Sequence, residues 1–326
     1  MKKIGQLTVY LAAVAAFKML RATPRAILRF EARLAGTLLC LWPAAGRVTR
    51  ANIAAAFPEK STAEVGRIAR ASMFNLIYNI LEFLWMCGNT KRIERCCVIP
   101  EPLRTFLADQ VKEGRRIIFV NPHLGSWEDS GLMAPHYSGV KMVAIAKPVR
   151  NPYLDNFYNR LGREQESGLK IVHTKGAMRA CLKALKDGYG VGTLIDQNTR
   201  VRDGGTFVEF FGLPVPSSTA PAVLMDYCVK NSIPAIIIYG TSVRLENGVV
   251  TAHAALLSKP YEEYDSPAEV LQELMHISES FIRKFPEQYL WFYKRFQYIP
   301  QEADETLKAK YPFYAAVAPD KFYRKS

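Results

Sequence analysis

The sequence lacks the cysteine pattern of a disulfide scaffold or a zinc site. Its six cysteines, Cys40, Cys87, Cys96, Cys97, Cys181 and Cys228, include no C-x-x-C pair and have no histidine cluster beside them. Their mostly apolar surroundings mark them as reduced core or interface thiols of a cytosol-facing protein. Glycine (20) and proline (19) are scattered rather than periodic, which excludes collagen-like and low-complexity chains. Internal repeats are absent as well, so a solenoid is excluded. Acid is scarce: 30 Asp+Glu stand against 43 Lys+Arg, a formal charge of +13. Such a balance asks for an anionic partner, either nucleic acid, an acidic membrane surface or a phosphorylated substrate. A nucleic-acid binder needs basic and aromatic residues interleaved on one face or a known binding module, and neither is found. What is present is ample core material, 49% hydrophobic residues over 326 positions, enough for one large domain or two modest ones.

The N-terminus carries a basic start, Lys2 and Lys3, followed by a mostly apolar stretch from Leu7 to Leu20 that Lys18 interrupts. A signal peptide has this outline, but no small-residue cleavage site follows and the stretch runs into more amphipathic sequence. Thr23 and Pro24 read as N-cap and first residue of a second helix. Along it Arg21, Arg25, Arg29 and Arg33 recur every fourth position beside Ile27, Leu28, Phe30, Leu34, Leu38 and Leu39. Adjoining basic and apolar faces suit an interfacial anchor on anionic lipid. A single tilted span would be short, because about 20 continuous apolar residues are usual. Residues 1–45 are therefore read as a membrane-anchoring helical segment and 46–326 as the catalytic domain.

Ser61-x-x-Glu64 is a capping-box pattern opening a helix with Ile68, Met73, Leu76, Ile77, Ile80, Leu81 and Leu84 on its apolar side. Short apolar runs then predict strands over 117–120, 142–145, 169–172, 191–195, 235–239 and 249–254. Helical patterns over 153–161, 177–185, 219–229 and 266–285 lie between or after them. Alternation of this kind predicts an α/β fold, a mixed but largely parallel sheet flanked by helices, behind the N-terminal membrane-associated helix.

Ligands of open α/β sheets collect beyond the carboxyl ends of strands, so polar turns there are the first candidates. One is Asn121-Pro122-His123-Leu124-Gly125-Ser126-Trp127-Glu128, and another is Asp196-Gln197. Histidine titrates near neutrality and suits proton removal, while a carboxylate on its second ring nitrogen fixes tautomer and orientation. A strand-end turn leading into a helix can bring Glu128 to His123 for that purpose. Gly125 eases the turn and exposes backbone N–H groups near a developing oxyanion. Metal is disfavoured, since no second His or Cys falls at ligand spacing nearby.

The eight residues from Asn121 to Glu128 resemble the His-x4-acid motif of the lysophospholipid acyltransferase superfamily. The rest of the chain resembles its lipid A biosynthesis branch, the lauroyl/myristoyl acyltransferases. Supporting blocks run in family order: Arg50 to Ile53 with Phe57-Pro58, Lys147 to Asp155, Lys175 to Arg179, Asp196-Gln197, Phe207 to Gly212, Thr219 to Pro221, and Pro286 to Phe296. The likeness implies a glycerol-3-phosphate acyltransferase-like fold at the cytoplasmic face of a bacterial inner membrane. It implies transfer of a fatty acyl chain from acyl carrier protein or a coenzyme A thioester to a hydroxyl of a lipid A precursor, with no cofactor. A phosphatidylinositol mannoside or another glycolipid is the alternative acceptor. His123 would be the general base and Glu128 would orient it; Ser126 reads as a helix cap rather than a nucleophile. Lys147, Arg150, Arg160 and Arg163 are candidates for the anionic part of the substrate, with Lys147 standing where the family commonly has arginine. Asp196 and Gln197 would line the site, and Phe210, Phe211 and the 291–293 stretch are either an acyl groove or core.

Overall fold

Helices α1 (Lys2–Ala22), α2 (Arg25–Leu41), α3 (Pro43–Ala56) and α4 (Thr62–Met86) come first in the computed structural model, which describes residues 2–159, 168–174 and 176–324. Ser61 and Glu64 close the reciprocal capping box their spacing predicts, satisfying two of the orphan amides at the start of α4. The second helix starts one residue later than expected, with Pro24 at the cap position. Thr23 does not cap, because its hydroxyl donates back to the Met19 carbonyl of α1. Leu28, Ala32, Gly36 and Cys40, spaced by four, form the buried stripe of α2. At Gly36 the two helices nearly touch: a Cβ there would stand 2.8 Å from the Phe74 Cα of α4. Gly36→Ala is therefore expected to destabilise the protein by about 1–3 kcal/mol, measurable as a lowered denaturation midpoint.

After α5 (Thr90–Cys96) the chain alternates as expected. The order is β1 (Cys97–Val98), α6 (Glu101–Lys112), β2 (Arg116–Asn121), α7 (Trp127–Ser138), β3 (Met142–Ala146), α8 (Pro152–Asn159), β4 (Leu169–His173), α9 (Ala177–Lys186) and β5 (Gly190–Leu194). There follow β6 (Gly205–Phe210), β7 (Leu213–Ser218), α10 (Ala220–Lys230), β8 (Ala235–Arg244), β9 (Val250–Leu256) and α11 (Pro267–Lys284). Seven strands make one sheet in the order β1-β9-β8-β2-β5-β3-β4. Every neighbouring pair in it is parallel except β8 with β9, so the sheet is mixed and largely parallel. β6 and β7 stand apart as an antiparallel hairpin, an element the apolar runs did not announce. Of the helix expected over 153–161, Arg160 and Leu161 lie outside the described residues.

Register decides what meets at the sheet's end. Asn121 of β2 pairs with Leu194 of β5, so His123 and Asp196, each two residues further on, emerge side by side. The core beneath them contains Val120, Ile195, Phe210, Phe211 and Trp291. All six cysteines are buried free thiols.

Candidate active site

The turn between β2 and α7 holds a buried imidazole. His123 Nδ1 lies 2.7 Å from Asp196 Oδ1, and the His123 backbone N–H donates to the other carboxylate oxygen, also at 2.7 Å. Because an ionised carboxylate only accepts, Nδ1 carries the proton and Nε2 is left as acceptor. The Gln197 side-chain amide stands against it at 3.2 Å. Trp127 meets the ring edge to face, with centroids 5.2 Å apart.

Electrostatics favour the charged form of this imidazole. Burial alone would lower its pKa, but the Asp196 charge and hydrogen bond outweigh burial, Glu128 adds to them and Arg295 opposes, so the net shift is upward. Burial likewise raises Asp196, yet His123 and its backbone N–H pull the carboxyl below its ordinary value. Behind Asp196 sit two residues that sequence reasoning left without a role. Tyr289 is buried, and burial together with the Asp196 charge pushes its phenol well above its ordinary value. Arg295, also buried, donates to Asn198 Oδ1 at 3.1 Å and the Pro216 carbonyl at 2.8 Å. Both belong to the 286–296 block, which was the available signal.

Several expectations need correcting. The carboxylate on the second ring nitrogen is Asp196, not Glu128, because the β2–β5 register delivers Asp196 directly while Glu128 enters from the first turn of α7. Glu128 instead lines the same cavity as His123 and acts on it through charge. Ser126 stands at the cap of α7, but its hydroxyl donates to Asn79 Oδ1 at 2.9 Å rather than capping the helix. Nor are the Gly125 and Ser126 amides open to an oxyanion: they donate to the Gln288 carbonyl at 2.9 Å and the Ser242 carbonyl at 2.6 Å. Gly125 adopts φ +64°, and a Cβ there would fall 2.0 Å from the Ser242 oxygen, so only glycine fits. For Phe210, Phe211 and Trp291 the core alternative holds rather than the acyl groove, since all three are in the core and none lines the cavity.

The cavity itself measures about 1080 Å³. Its lining includes the small strand residues Ala144, Gly192, Gly240, Ala252 and Ala254 together with apolar residues such as Leu103 of α6 and Met133 of α7. Gly240 has no backbone need for glycine, since the nearest atom to a Cβ would be Asn121 Nδ2 at 3.5 Å. Polar residues line it too, among them Gln197, Asn198, Thr199 and Arg200. Lys147 lies on the cavity wall; Arg150 is exposed and is not among its lining; Arg160 and Arg163 lie outside the described residues, as does Lys175. Among the described residues, no three His, Cys, Asp or Glu side chains converge to hold a metal ion.

The model of the family described as bacterial lipid A biosynthesis acyltransferase matches residues 2–298. The chain belongs to the bacterial lipid A biosynthesis acyltransferase family. It is also 25% identical over 181 residues to a lipid A biosynthesis acyltransferase of Haemophilus influenzae, a match covering 55% of this chain. The chain spans about half of that relative, 53% of its length. The match takes in α1 to α11 and the whole of the His123 site, and ends at residue 298.

Proposed function

We propose that this family member transfers a fatty acyl chain from a thioester, borne by acyl carrier protein or coenzyme A, to a hydroxyl of a lipid A precursor. The observation that carries this reading is an imidazole fixed by a carboxylate at one nitrogen and set in the wall of a large cavity that is also lined by many apolar residues. The acceptor hydroxyl displaces the Gln197 amide from Nε2 and gives up its proton there. Its oxygen bonds to the thioester carbonyl carbon, the C–S bond of the tetrahedral intermediate breaks, and the departing thiolate takes the proton back from the imidazolium. Asp196 and Glu128 stabilise that imidazolium. A thioester is already activated, so no serine or cysteine nucleophile is required. With the Gly125 and Ser126 amides engaged, the first-turn amides of α7, which lack acceptors within the helix, are the donors for the oxyanion.

The part of the cavity lining made by small strand residues and apolar side chains suits the acyl chain. Gly240→Val narrows it, and the expected outcome is a shorter preferred chain in a competition among thioesters of graded length. Lys147, with Arg150, Arg160 and Arg163 nearby in sequence, is assigned to the phosphate of the acceptor or of the carrier's pantetheine arm.

Membrane attachment at the cytoplasmic face of a bacterial inner membrane belongs to the same reading. Lys3–Ala22 is long and apolar enough to cross a membrane, and α2 turns Ile27, Phe30, Leu34, Leu38 and Leu41 outward, with Trp42 beside them. Arg25 is not part of that surface, because it pairs inward with Glu82 at 2.6 Å. Replacing Leu34 and Leu38 by glutamate removes two side chains worth about 1.5–3 kcal/mol each on burial. Binding to anionic vesicles, read by flotation, is expected to fall by about 10²-fold or more on that arithmetic.

The reading is tested by incubating purified protein with acyl thioester and a lipid A precursor and weighing the lipid. One acyl increment on the precursor is expected; an increment only on another glycolipid overturns the acceptor.

A further inference from the structure

The catalytic turn is not held by the sheet alone. Asn79 of α4 donates from Nδ2 to the Gly125 carbonyl at 2.7 Å and accepts the Ser126 hydroxyl at Oδ1. The same Oδ1 receives Arg244 Nη2 at 2.9 Å, and that nitrogen also reaches Ser126 Oγ at 3.2 Å. Arg244, at the end of β8, thus grips both sides of the residue from which α7 begins. Its other nitrogen, Nη1, is paired at 2.5 Å with Glu82 Oε2, and the Glu82 side chain is fully buried. Glu82 Oε1 in turn takes Arg25 Nε at 2.6 Å and the Tyr78 hydroxyl at 3.0 Å. Both arginines also reach the Gly248 carbonyl in the β8–β9 turn.

Asp129 of α7 lies close enough to feel Glu82 and Arg244, but its carboxyl oxygens make no hydrogen bond to the arginine. Burial and the Glu82 charge push its carboxyl well above the ordinary range, with Arg244 only partly opposing.

We propose that Arg25, Glu82 and Arg244 form a positioning device that couples the seating of α2 to the geometry of the catalytic turn. It rests on the acyl-transfer reading above, with α2 as the membrane-facing helix. None of the three lines the cavity, so none touches substrate. Their chemistry is that of orientation. An arginine fork with one nitrogen fixed by a buried carboxylate can present its second nitrogen in one direction only, here at Asn79 and Ser126. The carboxylate is fixed in turn by an arginine on the helix whose opposite face is apolar and exposed. Loss of the α2 contact lets Glu82 follow Arg244, loosens the Ser126 junction, and displaces the α7 first turn, with Glu128, relative to His123.

The test is a double-mutant cycle on the full chain in vesicles with Arg25→Met and Arg244→Met, scoring kcat and KM per folded molecule, the folded fraction being taken from denaturation curves. Each single variant is expected to lose about 10²-fold in kcat, the scale of a small misplacement at a reacting centre, with KM for the thioester unchanged. The double variant is expected to be no worse than the poorer single, because the two act through one chain. A merely structural role would lower the folded fraction but leave kcat per folded molecule intact; that result, or losses that multiply in the double variant, overturns the proposal. His123→Ala assayed alongside separates the two levels. Transfer surviving in it sinks the acyl-transfer reading and the coupling with it, whereas its loss together with independent effects of the two arginines sinks the coupling alone.

Discussion

Replacing His123 by alanine is expected to reduce acyl transfer by about 10³–10⁴-fold while leaving the fold intact. General-base catalysis contributes on the order of 10²–10⁴, and the upper part of that range is expected because the group in contact with Nε2 is an amide. The neighbour there is the Gln197 amide, which has no basicity, and the Asp196 carboxylate is shut behind the ring. Truncation leaves the backbone bonds of the turn in place, notably His123 N–H to Asp196 and Leu290 N–H to the His123 carbonyl at 3.0 Å. Stability should therefore change far less than rate. Single-turnover transfer by the purified variant, with a matched denaturation curve, checks both halves of the statement.

Asp196→Asn is expected to cost nearly as much, about 10³-fold, because the amide removes both the charge and the orientation that make Nε2 the basic nitrogen. A wrong tautomer behind an otherwise intact base is worth about 10⁴ in serine proteases. An asparagine can present its carbonyl to only one of the two N–H groups that Asp196 now serves, the ring Nδ1 and the His123 backbone. If the amide nitrogen faces the ring, Nδ1 becomes the acceptor and Nε2 carries the proton, which abolishes base function. Glu128→Gln also removes an anion from the imidazolium but leaves the tautomer alone. Its expected signature is a reduced rate with a smaller change in pH dependence than Asp196→Asn gives, since Asp196 is the stronger influence on the ring.

Much of this arrangement is legible in the sequence for plain physical reasons. Short apolar runs bounded by turn residues can do little but form buried strands, and 116–121, 142–146 and 169–173 appear where such runs stand. The turn holding His123 follows the most apolar of them. What a linear reading misses is adjacency. The partner of His123 lies 73 residues away and is chosen by the pairing of β2 with β5, whereas the acid five residues on is merely the nearest in sequence. Arg25 fails for a related reason. Helical periodicity places it in the stripe of Arg21, Arg29 and Arg33, but a buried carboxylate 57 residues later draws it inward. The amides of Gly125 and Ser126 are spoken for by Gln288 and Ser242, and no pattern within the turn reveals that. Phe210 and Phe211 illustrate the reverse case, where the plain reading of aromatics as core was the right one.

The most direct test of the central claim, that a neutral His123 steadied by Asp196 takes the proton, is the pH dependence of kcat/KM for the native protein and Asp196→Asn measured side by side. For the native protein the rate is expected to rise with pH, as the base form is populated, through a midpoint above 6.5, the ordinary histidine value, because the folded-state pKa is raised. In Asp196→Asn the attraction is gone while burial and Arg295 remain, so the residual rate should reach its plateau at lower pH. Coincident midpoints in the two proteins, or a native rate that does not change across this range, would contradict the account.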